Sequence, residues 1–543
     1  MEGALLLNFS LEFFTALPII LYAETHYRFP FLFSYLFKKE PEVIFDAPHR
    51  LEPNQPIPIL LLVKDADRFS CNLKNITFRL MQDSTLIVEQ RAAEIPIIPS
   101  QPIWWMLLSL DSHSCSGWVS LQISFTLQTP SGEYTYKSDN NRTSSHRPLK
   151  IFLSRELLPR LPNLYLGDAH THSNYTNDQV EFGSPLEASR LLCKAMGLSF
   201  FAVTDHSYDL DDRPDNYLVN DPDQPKWKTF LEEAEACNAE EREFVILTGE
   251  EITCRNNNSR NVHLLLYGDH QFFKGSGDGA ERSLHTWSEH SIPEILQQKS
   301  SASVVYASHP FEPIPFLQKL LLGRGEWAVA DLTSESISGL QILNGSRDKG
   351  FFDGYHIWIQ QLLQGKKLFL LAGNDAHGNF NRFSQLAIPF ISIRERDTQL
   401  FGKMRTGVFI DGELSANTLL DALRNGTSVI SDGPVAELNA RQRPSYAKSE
   451  SESKTVALRL HAVSSAEFGK IRRLNIFLGI LGSECERSID IDGFQEGYSV
   501  QLERELPVNS ACYFRAEVVT SSMGTYDSRE HFCYTNPVWI TPA

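Results

Sequence analysis

The chain has 543 residues, 42% of them hydrophobic and 22% charged. That balance excludes wholesale disorder and a polytopic membrane protein, and the length is too great for one hydrophobic core, so about three domains are expected. With 50 Lys and Arg against 67 Asp and Glu the formal charge is −17, which repels polyanions and argues against a long nucleic acid as partner. The eight Cys form no Cys-x-x-Cys pair, so zinc ribbons, redox dithiols and a disulfide scaffold are not signalled.

In chain order, residues 5–23 are apolar but interrupted by Glu12 and Pro18, with no Lys or Arg before Arg28. The stretch lacks the basic start of a signal peptide and is too short without charge to span a bilayer. It reads as a first strand or helix, and the expectation is a cytoplasmic chain without a transmembrane segment. From 42 to about 150, short apolar runs (57–63, 76–80, 118–127) alternate with turn formers such as Pro53-Asn-Gln-Pro56 and Pro130-Ser-Gly132. This is the pattern of an antiparallel sandwich, an N-terminal β-rich domain over 1–160.

From about Leu161 the style changes. Apolar strands at 198–203, 244–247, 262–267, 304–307, 339–343 and 368–372 alternate with helical stretches at 184–196, 226–242, 351–364 and 416–424. Ser184 stands as a helix cap with Glu187 at the capping-box offset and Gly197 as stop. Repeated βα units predict an α/β fold, a mostly parallel sheet or barrel, over 161–435. Strand-like runs return at 456–463, 474–478 and 513–519, predicting a C-terminal β-sandwich-like domain over 436–543.

Ten of the 16 His lie between His170 and His377, and several stand at predicted strand ends, where α/β folds build sites. Asp168, His170 and His172 occur at i, i+2 and i+4, on one side of an extended strand. Thr204-Asp205-His206 ends the strand at 198–203 and Gly249-Glu250-Glu251 the one at 244–247. His263 opens the next, Ser308-His309-Pro310 follows the strand at 304–307, and Asp375-Ala-His377 follows the last. Each cluster alone fits a solvated turn; six in one region point to metal binding. Nitrogen and carboxylate donors without Cys suit Zn, Mn or Fe rather than Ca.

This ordered set of His-x-His, Thr-Asp-His, Gly-x-Glu, His, Ser-His-Pro and Asp-Ala-His resembles the polymerase and histidinol phosphatase (PHP) superfamily of metallohydrolases, over about 164–378. Tyr165-Leu-Gly-Asp168, 422–434 and 534–540 look like its carbaryl-hydrolase-like branch. The resemblance implies a distorted (β/α)7 barrel with two or three divalent metal ions. His170, His172, Glu251 and Asp375 would bind the first ion, and Glu251, His263 and His309 the second. His206 and His377 correspond to ligands of a third, with Asp178 where several members carry His. The Gly-x-Glu spacing selects Glu251 over Glu250.

The implied chemistry is hydrolysis by a metal-activated water, with His377 or His206 as general acid when not holding a cation. Asp168 and Asp205 would orient ligands, and Arg347, Lys349, Asn381 and Arg382 are loop candidates for substrate contact. Between Asp205 and Glu251 there are 15 Asp or Glu against four Lys or Arg. Part of this excess lies at 209–223, a lid or a disordered insertion, and it favours a small-molecule substrate over a polymer. Three readings stay open: a phosphoesterase on a small organic phosphate, with a basic residue near the metals; a carboxylic-ester, carbamate or amide hydrolase, with an apolar pocket of Phe311, Phe316, Trp358 or Phe383; and a non-catalytic binding protein.

Overall fold

The computed structural model describes residues 40–99, 101–112, 115–140, 146–176, 183–277, 286–382, 385–388, 391–394, 399–442, 454–489, 491 and 494–541. The apolar stretch 5–23, Asp178 and Phe383 lie outside the described residues. Strand predominates over helix along the chain. Among the described residues no helix is long and apolar enough to cross a membrane.

The N-terminal region is built from two sheets. Glu42–Asp46, Ile57–Lys64 and Ile103–Leu110 form one of three strands. Cys71–Gln82, Gly117–Thr129 and Leu149–Leu153 form the body of the other, which has seven. Along Gly117–Thr129 the residues Val119, Leu121, Ile123, Phe125 and Leu127 are buried, the period-two pattern of a strand with one face in a core. Phe45 of the first sheet meets Phe78 and Phe125 of the second at centroid distances of 6.0 and 5.3 Å.

Seven strands of the central region are hydrogen-bonded in chain order: β1 (Leu164–His172), β2 (Phe200–Val203), β3 (Val245–Arg255), β4 (Asn261–Tyr267), β5 (Val304–Ser308), β6 (Gly339–Asn344) and β7 (Phe369–Gly373). Pairing is parallel from β1 to β3 and from β5 to β7. Past β7, Ala376 and His377 pair in parallel with Thr171 and His172, so the chain just beyond the last strand returns to the first. Gly373 permits this approach: a Cβ there would stand 2.4 Å from the Cβ of His170.

Regular βα alternation does not hold throughout. β4 runs antiparallel to both β3 and β5, because residues 256–260 are too short a link for a parallel crossover. Helices α1 (Leu186–Met196), α2 (Pro225–Glu240), α3 (Ile292–Gln298) and α4 (Lys349–Leu363) follow β1, β2, β4 and β6. The N-cap of α1 is Pro185 without a side-chain bond, and Ser184 is hydrogen-bonded to Ser189 instead; Gly197, at φ 89°, does end the helix. β3 runs on to Arg255, so Glu250 and Glu251 lie within it rather than at its end. Residues 209–223 carry a hairpin, Asp212–Arg213 against Asn216–Asn220, instead of an unstructured insertion.

β1 also pairs with Arg405–Phe409, which pairs with Ser428–Ser431 and then Phe532–Thr535, Cys512–Thr520 and Ile471–Ile480. The central sheet thus runs unbroken into the C-terminal region. There a second sheet of Val435–Gln442, Lys454–Val463 and Ser499–Val508 buries Leu458 and Leu460 in the same core as Ile476, Phe514 and Ala516. The regions are tied by Arg50, 2% exposed, which donates to both carboxylate oxygens of Glu467 at 2.6 and 2.8 Å and to the carbonyl of Met196 at 2.9 Å.

Candidate metal centre

Glu251, on β3, is the hub. It is 1% exposed, and imidazole nitrogens approach both its oxygens. Oε2 lies 3.5 Å from His170 Nε2, 3.5 Å from His172 Nε2 and 3.1 Å from His206 Nδ1. Oε1 lies 2.9 Å from His263 Nδ1 and 3.2 Å from His309 Nε2. These rings arrive from β1, β4, the turn after β2 and the end of β5. Asp375, after β7, adds an oxygen 3.5 Å from His170 Nε2 and 3.0 Å from His172 Nε2. His309 (φ 26°) and Asp375 (φ 52°) have left-handed backbones, a cost the surrounding packing must sustain and one that concentrates at functional sites.

Three groups of potential ligands result, each with its donor atoms within 4.8 Å of one another: His170, His172, Glu251 and Asp375; His206, Glu251 and His263; and His172, His206 and His377. The first group fits an ion on two counts. Two donors each about 2.0–2.1 Å from a tetrahedral cation stand roughly 3.3 Å apart, and its four nitrogen–oxygen separations run from 3.0 to 3.5 Å. In addition, His170 Nε2 and Glu251 Oε2 are buried and make no hydrogen bond, a deficit that native interiors rarely leave without an ion, a water or a function.

Electrostatics follow from this crowding. Burial and then the neighbouring His377 and His206 hold His172 well below the usual imidazole range, which favours the neutral ring that a cation would need. For Glu251 burial acts upward, but His263 and His170 outweigh it and hold the carboxyl well below its usual range. Glu250 points away from the rings, accepting from Ser207 Oγ at 2.8 Å and Phe273 N at 3.3 Å, and burial pushes its carboxyl well up. Adjacent carboxylates on one strand thus have opposite surroundings, as the alternation of a strand dictates.

Other residues singled out by sequence lie further off. Asp168 touches no ring; it accepts from His170 N, Asn374 N and Gly402 N and so fixes the backbone of the site, and burial raises its carboxyl to about 6. Asp205 accepts from Ser173 and Thr176, and Thr176 Oγ1 lies 3.4 Å from His172 Nδ1; Asp205 therefore acts through Thr176 and does not reach the cluster itself. Arg347 donates to Tyr534 Oη at 2.8 Å and lies over Phe532, a packing role against the C-terminal strands. Lys349 pairs with Asp353, Asn381 donates to Lys150 O, and the backbone of Arg382 is held by Asp46. Trp358 and Phe311 are buried in the core, whereas Phe316 is exposed, so these do not form one apolar pocket.

Sequence reading passed over Arg324, whose Nη2 lies 3.2 Å from His263 Nε2, and Gln341, wholly buried and 2.9 Å from His170 Nδ1. A polar residue inside the apolar run Leu340-Gln-Ile-Leu was the one available signal for Gln341; Arg324 had none.

No family model matches the chain, and no curated protein does. Among solved structures it is similar to β-D-mannosidase from Dictyoglomus thermophilum, at 9% identity and a TM-score of 0.24, covering 91% of this chain and 66% of that one. It is also similar to a cycloisomaltooligosaccharide glucanotransferase from Paenibacillus sp., at 10% identity and 0.19 over 91% and 71% of the two chains. A third is β-glucuronidase 2 from Bacteroides uniformis, at 9% and 0.17 over 92% and 61%. Likeness at such scores carries no argument about fold or activity.

Proposed function

We propose that this chain is a metal-dependent phosphoesterase of the PHP kind, acting on a small organic phosphate, with β1–β7 as its distorted (β/α)7 barrel. The observation that carries the reading is Glu251: one buried carboxylate shared between two ligand groups, the arrangement a bridged pair of cations requires. His170, His172 and Asp375 would complete the first position, and His263 with His206 or His309 the second. Bound divalent cations supply Lewis acidity, lowering the pKa of a water and neutralising charge that develops on the transferred phosphoryl group.

The protein's own groups do the rest. Arg324, at the side of His263, offers a guanidinium whose planar donors suit phosphoryl oxygens; this favours the phosphoester over an uncharged ester. His377 Nδ1 donates to the Asp375 carbonyl at 3.0 Å, making Nε2 its acceptor nitrogen, and when protonated there the ring serves as acid to a leaving group. Burial of the rings excludes bulk water from the ligands. The test is hydrolysis of p-nitrophenyl phosphate and p-nitrophenyl acetate with added Mn, Zn or Fe. Phosphatase activity that depends on metal and falls at least about 100-fold in Arg324→Ala, with acetate hydrolysis little changed, is expected from removal of a charged phosphate anchor. Preference for the acetate would contradict the reading.

A further inference from the structure

Gln341, on β6, sits behind the candidate metal centre with 0% exposure, and its partners fix which way its amide faces. The backbone N–H of His309, which can only donate, points at Oε1 from 3.2 Å. At the other end Nε2 donates to Asn344 Oδ1 at 3.1 Å, and Asn344 Nδ2 in turn faces the Glu312 carboxylate at 3.4 Å. An ionised carboxylate only accepts, so both amides are set by unambiguous neighbours. The atom 2.9 Å from His170 Nδ1 is therefore an oxygen, and Nδ1 carries the proton. Ser308 Oγ, 3.2 Å from the same oxygen, gives its single proton to Glu251 at 2.8 Å, leaving Gln341 Oε1 two donors for two lone pairs.

We infer that Gln341 is a positioning residue for metal binding. It keeps a proton on His170 Nδ1, which leaves Nε2 as the nitrogen to meet a cation beside Glu251 Oε2 and Asp375 Oδ1, and the same oxygen anchors the left-handed backbone of His309 on the opposite side of Glu251. One amide thus orders a ring on each side of the shared carboxylate. Partners of this kind raise ligand basicity and fix ring orientation, and their loss costs about 10–100-fold in metal affinity. The inference rests on the metal-centre reading.

The experiment is competition for Zn2+ against a chromophoric chelator, together with the visible spectrum of the Co2+-loaded protein, for wild type, Gln341→Met, Gln341→Glu and Asn344→Ala. Gln341→Met is expected to lose about 10–100-fold in affinity and to shift the Co2+ absorption, and Gln341→Glu, which keeps the acceptor, to recover most of the loss. Asn344→Ala, at the half-buried end of the chain of amides, removes the acceptor of Gln341 Nε2, loosens the amide and should cost a smaller factor, so the inference stays testable if Gln341→Met fails to fold. Wild-type affinity and an unchanged spectrum in Gln341→Met, or in Asn344→Ala where the first does not fold, would overturn the role of Gln341 alone. A wild type that binds no Zn2+ would overturn it together with the metal centre.

Discussion

Two buried polar clusters in this chain differ in one respect. Around Arg50 every N–H is used: Nε and Nη2 on Glu467, Nη1 on Glu52 and Met196 O, and Nη2 also on Glu156 O. Around Glu251, rings and carboxylates crowd to 3.0–3.5 Å while His170 Nε2 and Glu251 Oε2 make no hydrogen bond. The first cluster is closed in that the guanidinium of Arg50 spends every donor on holding regions together, although Glu52 Oε2 beside it makes no hydrogen bond; the one at Glu251 is open, and its unpaired atoms belong to a ring and a carboxylate of one potential ligand group. Arg515 belongs to the closed kind. Buried at 2% exposure, it is clasped by Glu486 and Glu517 under the ring of Phe477.

Breaking the closed cluster should cost most. Arg50→Met leaves Glu467 buried without its partner, and a loss of about 3–5 kcal/mol is expected from such a vacancy, read as a lowered urea midpoint. A midpoint within error of wild type would show that Arg50 is not what ties the regions.

His531 tests a histidine held for a proton. It lies between Asp432 at 3.2 Å and Asp527 at 3.0 Å; burial opposes its charge, but the two carboxylates prevail and raise it to about 9. Because the folded pKa is raised, this stabilisation is complete below the unfolded value near 6.5 and is lost as pH climbs to about 9. The shift corresponds to an effect on the order of 3 kcal/mol. Stability measured from pH 6 to 9.5 should fall less in His531→Gln than in wild type, and parallel curves would refute the assignment.

The open cluster should respond to a ligand instead. Zn2+ or Mn2+ at about 100 times its Kd should stabilise wild type by about 2.7 kcal/mol. The same addition should stabilise His172→Ala/Asp375→Ala by less in thermal denaturation, because only the His206, Glu251 and His263 group is left whole, and a shift equal to that of wild type would contradict the first position.

How much of this was legible beforehand follows from how far each signal reaches along the chain. Local signals read through: the His170/His172 spacing, Gly197 at the end of α1, and the alternation in Gly117–Thr129. Signals that depend on distant partners did not. Arg347 looked like a loop cation until Tyr534 met it, and Gln341 gained its meaning only when β6 was set beside β1 and β5. The antiparallel β4 was hidden because an apolar run carries no direction; the short link 256–260 was the clue. Glu250 and Glu251 are neighbours in sequence, and only the faces of β3 separate the carboxyl that burial pushes up from the one ringed by imidazoles.

The most direct measurement is metal stoichiometry by elemental analysis, after stripping and reconstitution with Zn, Mn or Fe, for wild type and His170→Ala/Glu251→Ala. Two or three ions per wild-type chain and fewer than about one in the variant is the predicted result, since Glu251 serves two of the three groups. Fewer than one ion per wild-type chain, or equal loading in both proteins, would contradict the account.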